Sequence, residues 1–178
     1  MAKASKQSGR GNRAKLDTPT DLKAKGIAEI SKALNALLAD AFALYLKTKN
    51  FHWHVSGPNF RDYHLLFDEH AEQIFATTDE LAERVRKIGG RTLHSTGEIA
   101  RLQRVKDNDE AFVSPGDMLQ ELMADNKAMM HAMRQAHALC DKHDDVATAS
   151  ILENFIDGTE RRNWFLFEVS RSIDPSGH

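Results

Sequence analysis

The sequence predicts an all-α fold: a four-helix bundle with a short helix in the long connection between the second and third helices. Three observations carry this prediction. Apolar residues recur at helical spacing over four long stretches. Only 4 prolines and 10 glycines interrupt 178 residues, so long helices can run unbroken. No stretch alternates polar and apolar residues long enough to make a useful strand. The length suits one domain with a substantial core, and 41% hydrophobic with 28% charged residues is ordinary for a soluble globular chain. We divide it into a flexible basic N-terminal tail (1–17), the bundle (18–172) and a short C-terminal tail (173–178).

The first 17 residues carry little bulky apolar content and cannot offset their ordering entropy by burial. "TPTD" then reads as a helix start, with Thr18 as N-cap, Pro19 in the first turn and Asp21 facing the positive helix end. Ile27, Ile30, Leu34, Leu37, Ala41 and Leu44 continue this helix to about His54. "SGPN" breaks it. The second helix spans about Asn59 to Ile88 and stops at Gly89-Gly90. "STGE" at 95–98 resembles the cap of a short helix. "SPGD" at 114–117 opens the third long helix, whose apolar stripe includes Met118, Leu122, Met129, Met133 and Cys140. "DKHDD" interrupts, and Val146 to about Ser170 forms the fourth.

The single cysteine, Cys140, excludes an internal disulfide and fits a reducing, cytoplasmic setting. No apolar run approaches the roughly 18 residues of a membrane span. The basic N-terminus has no apolar segment behind it, as a secretory signal would. Net charge is −2, unevenly placed. Lys3, Lys6, Arg10, Arg13 and Lys15 precede the first acid, Asp17, so the rest of the chain carries −7.

The segment Asn50–Gly90 holds four of the nine histidines and a regular series of carboxylates. On a helical wheel with His64 at zero, Asp68 falls at about 40°, Asp79 at about 60° and Glu83 at about 100°. Phe67, Ile74, Leu81, Val85 and Ile88 fall between about 240° and 300°. The polar stripe therefore lies off the core face, toward solvent or another subunit. His64 with Asp68, and Asp79 with Glu83, are i,i+4 pairs that can each point at one ion. Fifteen residues separate His64 from Asp79, roughly 22 Å of helix, so one helix cannot bring both pairs to one metal. A second copy running antiparallel about a two-fold axis near the helix middle can. His52, before the turn, can join the histidine side. Mixed imidazole and carboxylate donors suit iron, with zinc or manganese possible. A solvated charged face is the alternative, and Glu69, Glu72, Glu80 and Lys87 show that this helix has one.

The motifs "NFHWHVSGPNF", "HLLFDE" and "DELAERVRKIGG" resemble the signature of the Dps family, the miniferritins that protect DNA during starvation. Similarity extends over about residues 18–171. The resemblance implies a ferritin-like bundle assembled as a homo-oligomer, a hollow dodecamer. It implies ferroxidase activity: oxidation of Fe(II), with hydrogen peroxide the preferred oxidant, and storage of Fe(III) mineral. The family's ferroxidase ligands carry over onto His52, His64 and Asp68 of one subunit and Asp79 and Glu83 of its two-fold mate. Trp53 stands where the family usually has a tryptophan, which supplies an electron, scavenges a radical or simply packs. No glutamate is followed by histidine at i+3, the pattern of di-iron sites inside one bundle.

Family members line a three-fold iron-access pore with acids near the start of the last helix. Asp145 matches the first, but Ser150 stands where a second aspartate is common. Asp144 and Glu153 are nearby and can substitute, while helix capping is an equal reading of Asp144 and Asp145. Glu69 can nucleate mineral or simply be solvated. His70 falls on the core side, and His131, His137 and His143 form no site. Lysine-bearing tails in the family often bind DNA. Twelve copies of the basic tail would hold phosphates by avidity, without sequence readout and with steep salt dependence, and would place the particle at the nucleoid. A mainly DNA-compacting structural protein with secondary metal binding is the alternative.

Overall fold

The computed structural model describes residues 18–171. The tail residues Lys3, Lys6, Arg10, Arg13 and Lys15, and the C-terminal segment 173–178, lie outside the described residues. Five helices follow one another: α1 (Ala24–His54), α2 (Phe60–Lys87), α3 (Thr96–Leu102), α4 (Pro115–Lys142) and α5 (Val146–Ser170). Helix α1 packs along α2, α4 along α5, and α1 also lies against α4 and α3. The long crossover between α2 and α4 carries the short α3. Among the described residues no strand forms, and no helix is long and apolar enough to cross a membrane.

The core is built by the stripes the periodicity marks. Ile30, Leu34, Leu37, Leu44 and Phe51 of α1 meet Phe67, Ile74, Leu81 and Val85 of α2. Met118, Leu122, Met129, Met133 and Cys140 of α4 meet Leu152 and Leu166 of α5. His70 is buried as expected, and desolvation pushes its pKa down to about 3. Burial pushes the Cys140 thiol up to about 12, which makes it an inert packing residue. Two ionic ties hold the crossover and α4 onto α1. Arg104 grips Asp40 through Nε at 2.9 Å and Nη2 at 2.6 Å, and Lys47 reaches Asp125 at 2.7 Å.

Three helix starts follow their cap chemistry. Ser95 accepts from the Glu98 amide, Ser114 from the Asp117 amide with Pro115 opening the helix, and Asp145 from the Thr148 amide. Asn59 at the start of α2 makes no side-chain cap hydrogen bond, and Thr18 does not cap α1. That helix begins six residues later, at Ala24, with Lys23 at the N-cap position and no side-chain cap. The Thr18 hydroxyl instead donates to the Arg86 carbonyl at 2.8 Å, in the last turn of α2, where a carbonyl oxygen has a second lone pair to offer. Pro19 and Asp21 precede the helix.

The end of α2 is a Schellman turn. Gly89 (φ +86°) donates to Arg86 O at 3.0 Å, and Gly90 donates to Val85 O at 2.9 Å. Gly90 also lets α1 approach: a Cβ there would lie 2.1 Å from Ser31 Oγ and 2.9 Å from Val85 Cγ1. Gly90→Ala should therefore lower the free energy of unfolding by about 1–3 kcal/mol, read as an earlier chemical-denaturation midpoint.

Candidate metal centre

The turn between α1 and α2 folds His52 and His64 onto one another. His52 sits in the last turn of α1, and its carbonyl is one of those the helix itself leaves unpaired. His64 Nδ1 donates to that carbonyl at 2.8 Å. In return, His52 Nδ1 donates to the His64 carbonyl at 2.7 Å. The two rings stack with centroids 3.8 Å apart and 22° between planes, and Phe60 lies against the His64 ring at 5.0 Å.

This clasp decides the tautomers. A carbonyl oxygen only accepts, so each Nδ1 must carry the proton. Each Nε2 of the neutral ring is then a bare lone pair, the state a metal ligand needs. Asp68, one turn on from His64, brings its Oδ1 to 3.8 Å from His52 Nε2. The same oxygen accepts a 2.5 Å hydrogen bond from Lys49 Nζ. That bond is the main reason the Asp68 carboxyl is held below its ordinary range, with His52 and His64 adding to it and burial opposing.

The structure thus brings together His52, His64 and Asp68. It does not bring Asp79 or Glu83 to them. Both lie further along the same side of α2 and are exposed, and Glu83 pairs with Lys87 at 3.0 Å. Among the described residues of one chain, no three His, Cys, Asp or Glu side chains converge closely enough to hold a metal ion.

The surface around the stripe is not that of a solvated helix. Phe75 is 50% exposed and Leu65 49%. On the wheel that puts His64 at zero they fall at about 20° and about 100°, inside the ligand sector. Leu46 and Trp53 of α1 are exposed as well; Trp53 is 58% exposed and lines a groove of about 760 Å³ with Phe42, Leu46 and Ile99. Contiguous exposed apolar side chains of this kind mark a contact surface. Periodicity alone passes over Phe75 and Leu65, because it sorts residues into core and polar faces and leaves no class for an apolar residue on the polar side. Lys49 was legible as a neighbour of His52 three residues on, but nothing in the spacing links it to Asp68.

The model of the ferritin-like domain matches residues 31–174. A DNA protection during starvation protein of Brevibacillus brevis is 33% identical over 140 residues, covering 77% of this chain and 91% of that one. The chain belongs to the Dps family of ferritin-like proteins. A low temperature-induced protein of Nostoc is 32% identical, covering 89% of this chain and 88% of that one. The crystal structure of an archaeal Dps homologue from Halobacterium salinarum superposes with a TM-score of 0.82 at 30% identity, over 93% of this chain and 94% of that one.

The acids that Dps resemblance marks for iron access are placed unequally. Asp145 is 3% exposed. Its carboxylate caps α5 through the Thr148 amide at 3.1 Å and pairs with Arg84 at 2.6 Å, so within one chain it acts as the cap. Asp144 and Ser150 are exposed. Asp144 takes a left-handed conformation (φ 59°) between α4 and α5, which aspartate tolerates. Glu153 is exposed and accepts from His137 at 3.0 Å. Glu69 is exposed and accepts from Gln73 at 3.0 Å. His131 pairs with Gln135 and His143 with Glu29, so these histidines are engaged locally.

Proposed function

We propose that this chain is a ferroxidase and iron store whose oxidation sites lie between two subunits. The observation that carries the reading is the His52–His64 clasp, which presents two metal-ready imidazole nitrogens beside Asp68 while the completing carboxylates sit far along α2 on an apolar-studded face. An antiparallel copy of α2 supplies what is missing. Pairing His64 with the partner's Glu83 and Asp68 with the partner's Asp79 gives both pairings the same midpoint, between Gln73 and Ile74. Half-exposed Phe75 then lies beside the two-fold axis, where it can pack against its own copy. A closed two-fold contact has this self-complementary character. Family membership supports a hollow shell of such dimers, with twelve subunits.

The chemistry follows from the donor set. Imidazoles hold Fe(II), the substrate, and carboxylates favour the harder Fe(III) product. Two Fe(II) ions give one electron each to hydrogen peroxide. Its O–O bond breaks and both oxygens end at the level of water, so no hydroxyl radical is released. Trp53, adjacent to His52 and on the same surface, can donate an electron when only one iron is bound. Zinc or manganese suits the same donors as a competitor. Asp144 and Glu153 are the exposed acids near the start of α5 and are assigned to iron access, with Asp145 as the cap behind them. The particle would work in the cytoplasm.

Anaerobic loading of the assembled protein with Fe(II), followed by peroxide, should give rapid growth of ferric absorbance. The double variant His52→Ala, Asp79→Ala should slow that phase by at least about 100-fold, as removal of essential ligands does. An unchanged rate would sink the site assignment.

The basic tail carries the second part of the proposal. Five cations on each of twelve tails would bind DNA without sequence preference, by avidity, and locate the particle at the nucleoid. A chain beginning at Asp17 should no longer retard duplex DNA in a gel at about 50 mM salt. Retardation equal to that of the full chain would assign DNA binding to the bundle. DNA retardation by a protein that shows no peroxide-driven iron oxidation would favour the DNA-compacting alternative.

A further inference from the structure

Lys49 is the one feature of the half-site that the ferroxidase reading does not use. It lies one helical turn before His52, on the same face of α1. Its Nζ is 2.5 Å from Asp68 Oδ1, the oxygen that lies 3.8 Å from His52 Nε2. The pair is shielded: the Lys49 side chain is 19% exposed and that of Asp68 37%. The second lysine of the stripe is different. Lys87 meets Glu83 at 3.0 Å with both side chains more than half exposed, a geometry in which solvent screening leaves little net attraction.

We propose that the Lys49 ammonium is an internal competitor for the cation bound by His52, His64 and Asp68, and that it sets the affinity of that half-site. The inference rests on the ferroxidase reading and deepens it. An ammonium and a divalent ion cannot both sit on one carboxylate oxygen, because at such separations their repulsion exceeds what either gains. Loading is therefore an exchange. The cation takes Oδ1, the bare Nε2 atoms and the partner's Asp79 and Glu83 supply its other donors, and the ammonium swings away still protonated. When the cation leaves, the ammonium returns to Asp68 and closes the position behind it. This gives the site a threshold, so that it fills when the divalent ion is abundant. It also helps to return the oxidised product to the cavity, since the ammonium competes for the same oxygen.

A structural role for Lys49 predicts the opposite sign. If Lys49 merely held Asp68 in position, removing it would loosen the carboxylate and weaken binding. The test therefore uses equilibrium binding of a redox-inert cation to the assembled full-length protein. Co(II) is titrated without oxidant and followed by its visible absorption, and the signal that His52→Ala abolishes is taken as the site. Lys49→Met should tighten Co(II) binding by roughly 3- to 10-fold, about the worth of a partly shielded ion pair. Lys49→Gln, which keeps a hydrogen-bond donor without the charge, should tighten it as well. Lys87→Met should change it by less than about two-fold. Unchanged or weaker binding in both Lys49 variants overturns the inference while leaving the ferroxidase reading intact. An equal gain in Lys87→Met overturns the assignment to Lys49. No His52-dependent Co(II) signal in the native protein overturns the reading and the inference together.

Discussion

Two hydrogen bonds across one turn build the candidate metal centre. His52 and His64 each donate from Nδ1 to the other's backbone carbonyl, and the consequences reach well beyond the turn. The bond from His64 satisfies a carbonyl stranded at the end of α1. The pair of bonds fixes both rings in the tautomer that exposes Nε2. A structural tie and a ligand-preparing device are thus the same contact. In the proposed site, replacing either imidazole would remove a metal donor and one of the two bonds between the helices.

The second constraint is the rise of an α-helix. At 1.5 Å per residue, α2 is too long to fold its two acidic ends onto one point, and nothing in the bundle bends it. The ligands can meet only if two copies are laid side by side in opposite directions. The exposed Phe75 and Leu65 among those ligands give such a pairing an apolar contact, and the long crossover pinned by Arg104 and Asp40 leaves that face of α1 and α2 clear of α4 and α5. In the proposed reading oligomerisation and catalysis are coupled: a chain that cannot pair has half a site.

Much of this was legible in the sequence, for physical reasons that differ by element. Ser95, Ser114 and Asp145 cap the helices they precede because a short polar side chain beside an unpaired amide has few better options. Gly89 and Gly90 end α2 because one needs a positive φ and the other must let Ser31 pass. The stripe His64, Asp68, Asp79, Glu83 is a statement about spacing, and spacing survives folding. Thr18 does not cap because a cap-like hydroxyl bonds to any backbone group in reach that can take it, and it donates to the Arg86 carbonyl at the end of α2. Lys49 was hidden because its partner lies across the turn on another helix. Asp145 was ambiguous because capping and pore-lining call for the same side chain; within one chain it caps α5 and pairs with Arg84 of α2, a partner that spacing does not announce.

The central claim is that each oxidation site takes ligands from two chains. The direct measurement mixes His52→Ala chains with Asp79→Ala chains, co-assembled in equal amounts, and follows peroxide-driven Fe(II) oxidation. In a mixed pair one site loses both ligands and the other keeps them all. Random pairing should therefore restore about a quarter of the native rate, although each variant alone is inactive. Mixtures that stay as inactive as their components would mean that the ligands belong to one chain and would contradict the account.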